Sequence, residues 1–161
     1  DAMAKDRDSD TTKGYYQWSS MAWFEMATSG LPNTEEPYGT WLIEQADWMI
    51  DVHRTLERTR NTGYAYEGIV PAWEMARLRG DEAHSRKFGC VIETGMEKLT
   101  SWQIGGPFPN DFIAAQLIED PIAIGGVQNH KQEPFLRIDV TQHQMHAAIL
   151  ARRYYFKEDK P

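Results

Sequence analysis

Apolar residues recur at intervals of three and four positions through most of this 161-residue chain. This period is typical of helices with one buried face, and no segment shows the alternation that is typical of a half-buried strand. The pattern predicts five long or moderate helices and one short helix. Their predicted bounds are 13–28, 39–58, the segment from the break at 61–63 to Gly80, 82–102, the short helix 111–117, and 139–156.

The stripes also predict which residues face the core. In the first helix the predicted apolar stripe consists of Tyr15, Trp18, Met21, Ala22 and Met26. The second helix places His53 on the same stripe as Leu42, Ala46 and Met49, so His53 is expected to face the core.

Helix ends indicate how consecutive helices are joined. Gly30 with Pro32 stops the first helix, and Gly80 supplies a left-handed cap while Asp81 caps the next helix. The Gly80-Asp81 pair therefore predicts a tight turn between antiparallel helices. The expected fold class is mainly α, built from antiparallel helical hairpins.

The expected domain organisation is one helical domain with two loose ends. Residues 1–12 are predicted to be a flexible lead-in, 13–156 a single helical-hairpin domain, and 157–161 an exposed tail. Within the domain, residues 104–134 are rich in Gly and Pro and form a long loop, and such loops are often functional.

Composition and charge exclude several classes of protein. With 41% hydrophobic and 25% charged residues the chain is expected to be globular, and its net charge of −7 disfavours a nucleic-acid binder. No apolar run is long enough to predict a membrane span, so the chain is expected to be soluble. It starts at Asp1, which is typical of a processed or excised chain, and leaves its compartment open.

Cys90 is the single cysteine, which excludes an internal disulfide. Its neighbours Phe88, Val91 and Ile92 are apolar, and the sequence predicts a buried, inert thiol.

The first candidate site is the segment 58–69, which reads RTRNTGYAYEGI. It places guanidinium, amide, phenol and carboxylate groups just before and at a helix start, where free backbone N–H groups also point outward. This combination is typical of a site for a polar ligand. The alternative is structural: the arginines cap a helix end, Asn61 and Gly63 form the turn, and the tyrosines pack.

The second candidate site is the segment 135–150, in which Asp139, His143 and His146 follow at spacings of four and three. On a helix the three side chains share one face. They can transfer protons or bind substrate, since a carboxylate and an imidazole tune one another, or they can ligate a divalent metal. The structural alternative makes Asp139 an N-cap and His143 a core histidine. His130, from the long loop, can join either site.

Consecutive helical hairpins with polar, aromatic-rich residues at alternate helix starts resemble a section of an (α/α) toroid. Such folds occur in N-acylglucosamine 2-epimerase-like proteins, in helical-barrel glycoside hydrolases and in polysaccharide lyases. The resemblance covers residues 14–156 and implies a ligand cavity lined by the starts of the inner helices. A closed toroid of six hairpins needs about twice this length, so the resemblance also implies an arc that a protein partner or self-association completes.

The leading hypothesis is a carbohydrate-active or sugar-binding α-toroid segment without a cofactor, acting in glycoside hydrolysis or sugar epimerisation. Glu67 and Asp139 are the candidate acid and base, with His143 as an assisting proton carrier. The candidate substrate contacts are Arg60, Asn61, Tyr64, Tyr66, Arg137 and Gln142. Two alternatives stay open: a non-catalytic interaction or assembly module, and a metalloprotein using Asp139, His143 and His146.

Overall fold

A computed structural model describes residues 10–117 and 119–157 of the chain. In this part the chain forms helices α1 (Asp10–Thr28), α2 (Glu35–Asp51), α3 (Gly63–Leu78), α4 (Glu82–Thr100), α5 (Asp111–Ala114) and α6 (Ile138–Tyr154). Short 3-10 turns occupy Thr55–Glu57 and Pro121–Ala123, and a hairpin pairs β1 (Gln128–His130) with β2 (Glu133–Leu136). The predicted class, mainly α, is confirmed.

The predicted loose ends lie largely outside the described residues. Of the lead-in predicted over 1–12, residues 10–12 belong to α1, and of the tail predicted over 157–161 only Lys157 is described. None of the helices in the described ranges combines the length and the apolar character that crossing a bilayer requires.

Helix α3 is the centre of the fold. It contacts α1, α2, α4 and α6, and every residue from 65 to 72 is buried. The segment carries Ala, Ile, Val and Pro with few polar groups, so it can be covered on all sides. The side chains at the start of α3 are consequently held by several neighbouring helices at once.

Two glycines of α3 allow the neighbouring helices to lie directly against its backbone. A Cβ on Gly63 would come within 2.7 Å of the backbone nitrogen of Gln144 in α6. A Cβ on Gly68 would come within 2.6 Å of both Tyr16 and Ser20 in α1. These contacts are closer than side chains tolerate, so glycine at the two positions sets the spacing of α1 and α6 from α3.

The hairpin between α3 and α4 has the predicted turn. Gly80 adopts a left-handed φ of 69°, and the Asp81 side chain accepts a hydrogen bond from the backbone N–H of His84 at 3.1 Å. Both are the expected capping interactions at a tight connection between helices.

A polar cluster ties α4 to α2. His84 lies with Nδ1 2.6 Å from Asp81 and Nε2 3.0 Å from Asp47, while Lys87 Nζ lies 2.7 Å from both Asp47 and Asp51. Burial lowers the pKa of His84, but the two neighbouring carboxylates outweigh burial and raise the pKa above its ordinary value.

The predicted stripe of α1 was wrong. Tyr15 and Trp18 are 58% and 61% exposed, whereas Tyr16 and Phe24 are buried. Helix α1 carries apolar side chains almost all round, so two different stripes satisfy the helical period. Packing against α3 selects the stripe that contains Tyr16, because that face meets the gap left by Gly68.

Two further predictions need correction. The second helix ends at Asp51 rather than at residue 58, because the chain turns at Arg54, which adopts a left-handed φ of 55°. His53 is buried as predicted, at 7% exposure, but it lies beyond the helix end. Cys90 is exposed, not buried, because it lies on the side of α4 opposite the buried Phe88.

The strands were not predicted. They have only three and four residues, and all of β2 is exposed, so the alternation that reveals a half-buried strand is missing. The hairpin is attached to the segment before α3 by hydrogen bonds from Asn61 N–H to Asn129 C=O and from Lys131 N–H to Thr59 C=O, each 2.9 Å. Part of the long loop thereby becomes a wall beside the start of α3.

Candidate functional site

The starts of three helices line one cleft of about 650 Å³, which we call the helix-start cleft. Helices α1, α3 and α6 each contribute, together with the segment before α3 and strand β1. Its lining residues are Lys13, Gln17, Glu57, Arg58, Thr59, Arg60, Asn61, Thr62, Tyr64, Asn129, Arg137, Asp139, Val140 and His143. Six of the residues predicted as site residues are among them: Arg60, Asn61, Tyr64, Arg137, Asp139 and His143.

Asn61 joins the elements that form the cleft. Its Oδ1 accepts a hydrogen bond from the backbone N–H of Gly63 at 2.8 Å, and its Nδ2 donates to Oε1 of Gln144 at 3.0 Å. The first bond satisfies a free N–H at the start of α3, and the second connects that start to α6. Asn61 is therefore engaged by the protein itself, although it was predicted as a substrate contact and lines the cleft.

The most unusual feature lies directly behind the cleft, where Glu67 of α3 meets two histidines of α6. The Glu67 side chain is 1% exposed. Its Oε2 lies 2.9 Å from Nδ1 of His143, and its Oε1 lies 2.8 Å from Nδ1 of His146. A buried carboxylate is costly unless it is hydrogen-bonded, and here both oxygens have a partner.

The state of the Glu67 carboxylate decides which nitrogen of each ring carries a proton. When the carboxylate is ionised it only accepts hydrogen bonds, and each Nδ1 then donates its N–H to Glu67. In the neutral imidazole the other nitrogen, Nε2, then has a free lone pair. Because His143 also lines the cleft, its Nε2 is the nitrogen available to take a proton from a bound molecule.

Glu67 itself does not line the cleft. The sequence predicts it as a direct acid or base, and that role stays a prediction. The structure shows its side chain 1% exposed and in contact with His143, so it meets the cleft only through the ring of that histidine.

Asp139 lines the cleft and is paired with Arg137. The two side chains form a bidentate contact, with distances of 3.0 Å from Nε to Oδ1 and 2.6 Å from Nη2 to Oδ2. Hydrogen bonding to Arg137 holds the pKa of Asp139 below its usual range, so Asp139 is ionised at neutral pH. It can accept hydrogen bonds from a ligand, but it cannot supply a proton.

Tyr64 brings a second proton-carrying group to the cleft. Its hydroxyl lies 2.7 Å from Nε2 of His53, a residue that is 7% exposed and stacks on Trp48. Burial, together with the charges of Arg58 and Lys13, lowers the pKa of His53 to about 4. His53 is thus neutral at neutral pH and can accept the hydrogen bond of the tyrosine hydroxyl. Sequence reasoning had placed His53 in the core without a role, because only the fold brings it to Tyr64.

Three other residues of interest lie away from the cleft lining. Tyr66 is fully buried against Gly95 of α4 and does not line the cleft, so nothing in the structure supports its predicted role as a substrate contact. Gln142 is exposed but does not line the cleft. His130 accepts a hydrogen bond at Nδ1 from the backbone of Gln132 at 3.2 Å, within the hairpin turn.

The alternative metal site is not assembled. Asp139 pairs with Arg137, whereas His143 and His146 both turn Nδ1 towards Glu67. Within residues 10–117 and 119–157, no group of three or more His, Cys, Asp or Glu side chains is placed to hold a metal ion.

Comparison with protein-family models, with curated proteins and with solved structures found no match to this chain. The resemblance to (α/α) toroid proteins therefore stays a prediction, and a functional assignment depends on the geometry of the helix-start cleft.

Proposed function

We propose that the helix-start cleft binds a saccharide and that His143 transfers a proton to or from it, with Glu67 as the positioning residue. The observation that carries this proposal is the 2.9 Å contact between Glu67 and His143 at the wall of the cleft. A buried carboxylate that fixes the tautomer of an imidazole beside a ligand site is an arrangement suited to general acid and base catalysis.

The remaining groups of the cleft support a sugar as the ligand. Its volume of about 650 Å³ is within the usual range of small-molecule sites, and its lining is rich in amide, hydroxyl and charged groups that match sugar hydroxyls. Tyr64 adds an aromatic ring, which can pack on the apolar face of a sugar. A cavity at the starts of several helices is also what the resemblance to toroid proteins implies.

The proposed mechanism replaces the pair of carboxylates by a pair of proton carriers. His143 takes a proton at Nε2, and its imidazolium form is stabilised by the carboxylate of Glu67. Tyr64, hydrogen-bonded to neutral His53, is the second proton-carrying group; burial raises its pKa, so it keeps its proton and can only donate one. Asp139, kept ionised by Arg137, accepts hydrogen bonds from substrate hydroxyls. Hydrolysis, epimerisation and elimination of a saccharide each need such a proton transfer.

The proposal is tested by screening the protein against a panel of polysaccharides and their oligosaccharides. Reducing ends report hydrolysis, ultraviolet absorbance of unsaturated products reports elimination, and deuterium uptake at a sugar carbon reports epimerisation. On the active substrate, His143→Gln should lower kcat by about 10²- to 10⁴-fold. Glu67→Gln should lower kcat more than it raises KM, because it changes the state of His143 rather than substrate contacts.

His130→Gln is the matched control, since it removes a histidine that lies outside the cleft lining. Activity that survives His143→Gln at the level of this control contradicts the proposal. Failure of every saccharide in the panel to bind or react contradicts it as well.

A second candidate function, assembly, is supported by apolar groups that the fold leaves uncovered. A groove of about 420 Å³ between α4 and α6 is lined in part by Met145 and Ile149, which are 58% and 55% exposed. Tyr15 and Trp18 are exposed on α1, so α1 of a second copy offers a surface to cover this groove. Sedimentation should then show self-association that Ile149→Glu abolishes and Ala83→Glu, on the exposed face of α4, preserves. A monomer at all concentrations contradicts this candidate.

A further inference from the structure

The charge of the helix-start cleft is opposite to that of the chain. Its lining includes four cationic side chains, from Lys13, Arg58, Arg60 and Arg137, and two anionic ones, from Glu57 and Asp139. The chain as a whole carries a net charge of −7. A concentration of positive charge in one concave site of an acidic protein attracts anions to that site.

Two of the cations have no carboxylate partner among the residues that the structure describes. Asp139 is bound by Arg137 at 2.6 Å, and Glu57 lies 3.5 Å from Arg54, which is outside the lining. The side chains of Arg58 and Arg60 form no ion pair with any residue that the structure describes. Both anions of the cleft thus already have a cationic partner, whereas within residues 10–117 and 119–157 no carboxylate neutralises the two guanidinium groups.

The backbone that carries the two arginines is held in place from both sides. Lys98 of α4 donates hydrogen bonds from Nζ to the carbonyl oxygens of Thr55, Leu56 and Arg58, at 3.3, 2.9 and 2.8 Å. On the other side Arg60 pairs with His130 in an antiparallel bridge. A fixed backbone reduces the entropy that is lost when the two side chains bind a ligand.

The positive field is also felt at a neighbouring buried group. After burial, the charges of Arg58 and Lys13 are the causes that lower the pKa of His53, which is hydrogen-bonded to Tyr64 at the cleft. A field that disfavours a cation at this place favours an anion in the adjoining space.

We propose that the ligand of the helix-start cleft is an acidic saccharide, whose anionic group is bound by Arg58 and Arg60. This inference rests on the proposed function for the sugar part of the ligand. The planar guanidinium group forms paired hydrogen bonds with a carboxylate or with the oxygens of a sulfate ester, which neutral sugars lack. The two sources of anionic charge, a uronate and a sulfated sugar, share this chemistry.

The inference is tested by the binding of single sugars, because this measurement does not depend on which reaction the protein carries out. D-glucuronate, D-glucose 6-sulfate and D-glucose are titrated into the isotope-labelled protein at constant ionic strength, and the backbone amide shifts are followed by NMR. We expect at least one of the two acidic sugars to shift resonances of residues 58–64 and to bind about tenfold or more tightly than glucose. The acidic sugar that binds more tightly shows whether the site prefers a carboxylate or a sulfate.

Arg58→Gln and Arg60→Gln should each remove most of this preference, whereas Arg86→Gln, on the exposed surface of α4, should leave it unchanged. Glucose binding as tightly as both acidic sugars, or a preference that survives both cleft variants, overturns the inference. The inference is also overturned if neither of the two acidic sugars binds.

The outcomes also separate this inference from the proposed function. If the preference for an acidic sugar depends on the arginines but no saccharide reacts in a manner that depends on His143, the anion site stands and the proposed function fails. If a neutral saccharide reacts through His143 with no effect of the arginine variants, the proposed function stands and the acidic substrate is wrong.

Discussion

The hydrogen bonds of Glu67 allow one perturbation to be worked out in detail. In Glu67→Gln the side chain keeps its size, but the carboxylate oxygens become one acceptor and one donor group. The new NH₂ group faces an Nδ1–H of His143 or His146, where two donors oppose one another. That histidine must move its proton to Nε2, so that its Nδ1 can accept.

The expected loss of stability follows from the kinds of bonds. A hydrogen bond to a charged group contributes about 1.5 to 3 kcal/mol, and a neutral one about half as much. Replacing two charge-assisted bonds by neutral ones should therefore lower the free energy of unfolding by about 2 kcal/mol. In a domain of this size the change corresponds to a fall in Tm of about 4 to 8 °C. Glu67→Ala, which leaves both imidazole groups without a partner, should cost about 3 to 5 kcal/mol.

Two measurements check this reasoning. Urea denaturation gives the change in free energy, and long-range ¹H–¹⁵N NMR identifies the protonated nitrogen of each ring. In the wild type both histidines should be protonated on Nδ1, and in Glu67→Gln one of them should be protonated on Nε2. Glu97→Gln, on the exposed face of α4, is the matched control and should change stability by less than about 0.5 kcal/mol. A wild-type His143 without a proton on Nδ1, or a Glu67→Gln variant as stable as this control, would refute the assignment.

Three further predictions concern the packing and the pH dependence of the fold. Gly63→Ala should destabilise the protein by about 1 to 3 kcal/mol, because the added Cβ would lie 2.7 Å from the backbone nitrogen of Gln144. At Gly14 a Cβ meets only open space, so Gly14→Ala should stabilise helix α1 by about 0.5 to 1 kcal/mol. Urea denaturation of both variants tests the comparison. The pKa of His53 is lowered from 6.5 to about 4 in the folded protein, so as pH falls the unfolded chain takes up a proton on this residue first. Between pH 6.5 and pH 4 the free energy of unfolding of the wild type should therefore fall by on the order of 3 kcal/mol more than that of His53→Gln. Equal falls in the two proteins would contradict this. The pKa of His84 is raised in the folded protein, so its contribution to stability is fully present below pH 6.5 and is lost as pH rises through the folded-state pKa. In thermal melts the Tm of the wild type should exceed that of His84→Gln by less and less as pH rises, which is the reverse of the pattern at His53.

The helices and their turns follow from local sequence. The period of apolar residues predicted the six helices, and the Gly80-Asp81 pair predicted the turn between α3 and α4, because capping and amphipathic patterning act within a few residues. The same local reasoning selected the segment before α3 and the start of α6 as candidate sites. It could not choose the buried face of α1, since apolar groups surround that helix, and it could not detect strands of three and four residues.

The tertiary structure alone decided which contacts the candidate residues make. Glu67 and His143 are 76 positions apart, and their contact depends on the close approach of α3 and α6 at Gly63. Periodicity states which side of a helix is buried, but it does not state which other helix covers that side or at what distance. For this reason the sequence predicts Glu67 and His143 separately as proton carriers, and only the packed fold shows that the two side chains are in contact. The pairing of Tyr64 with His53 across a chain turn was likewise set by tertiary packing.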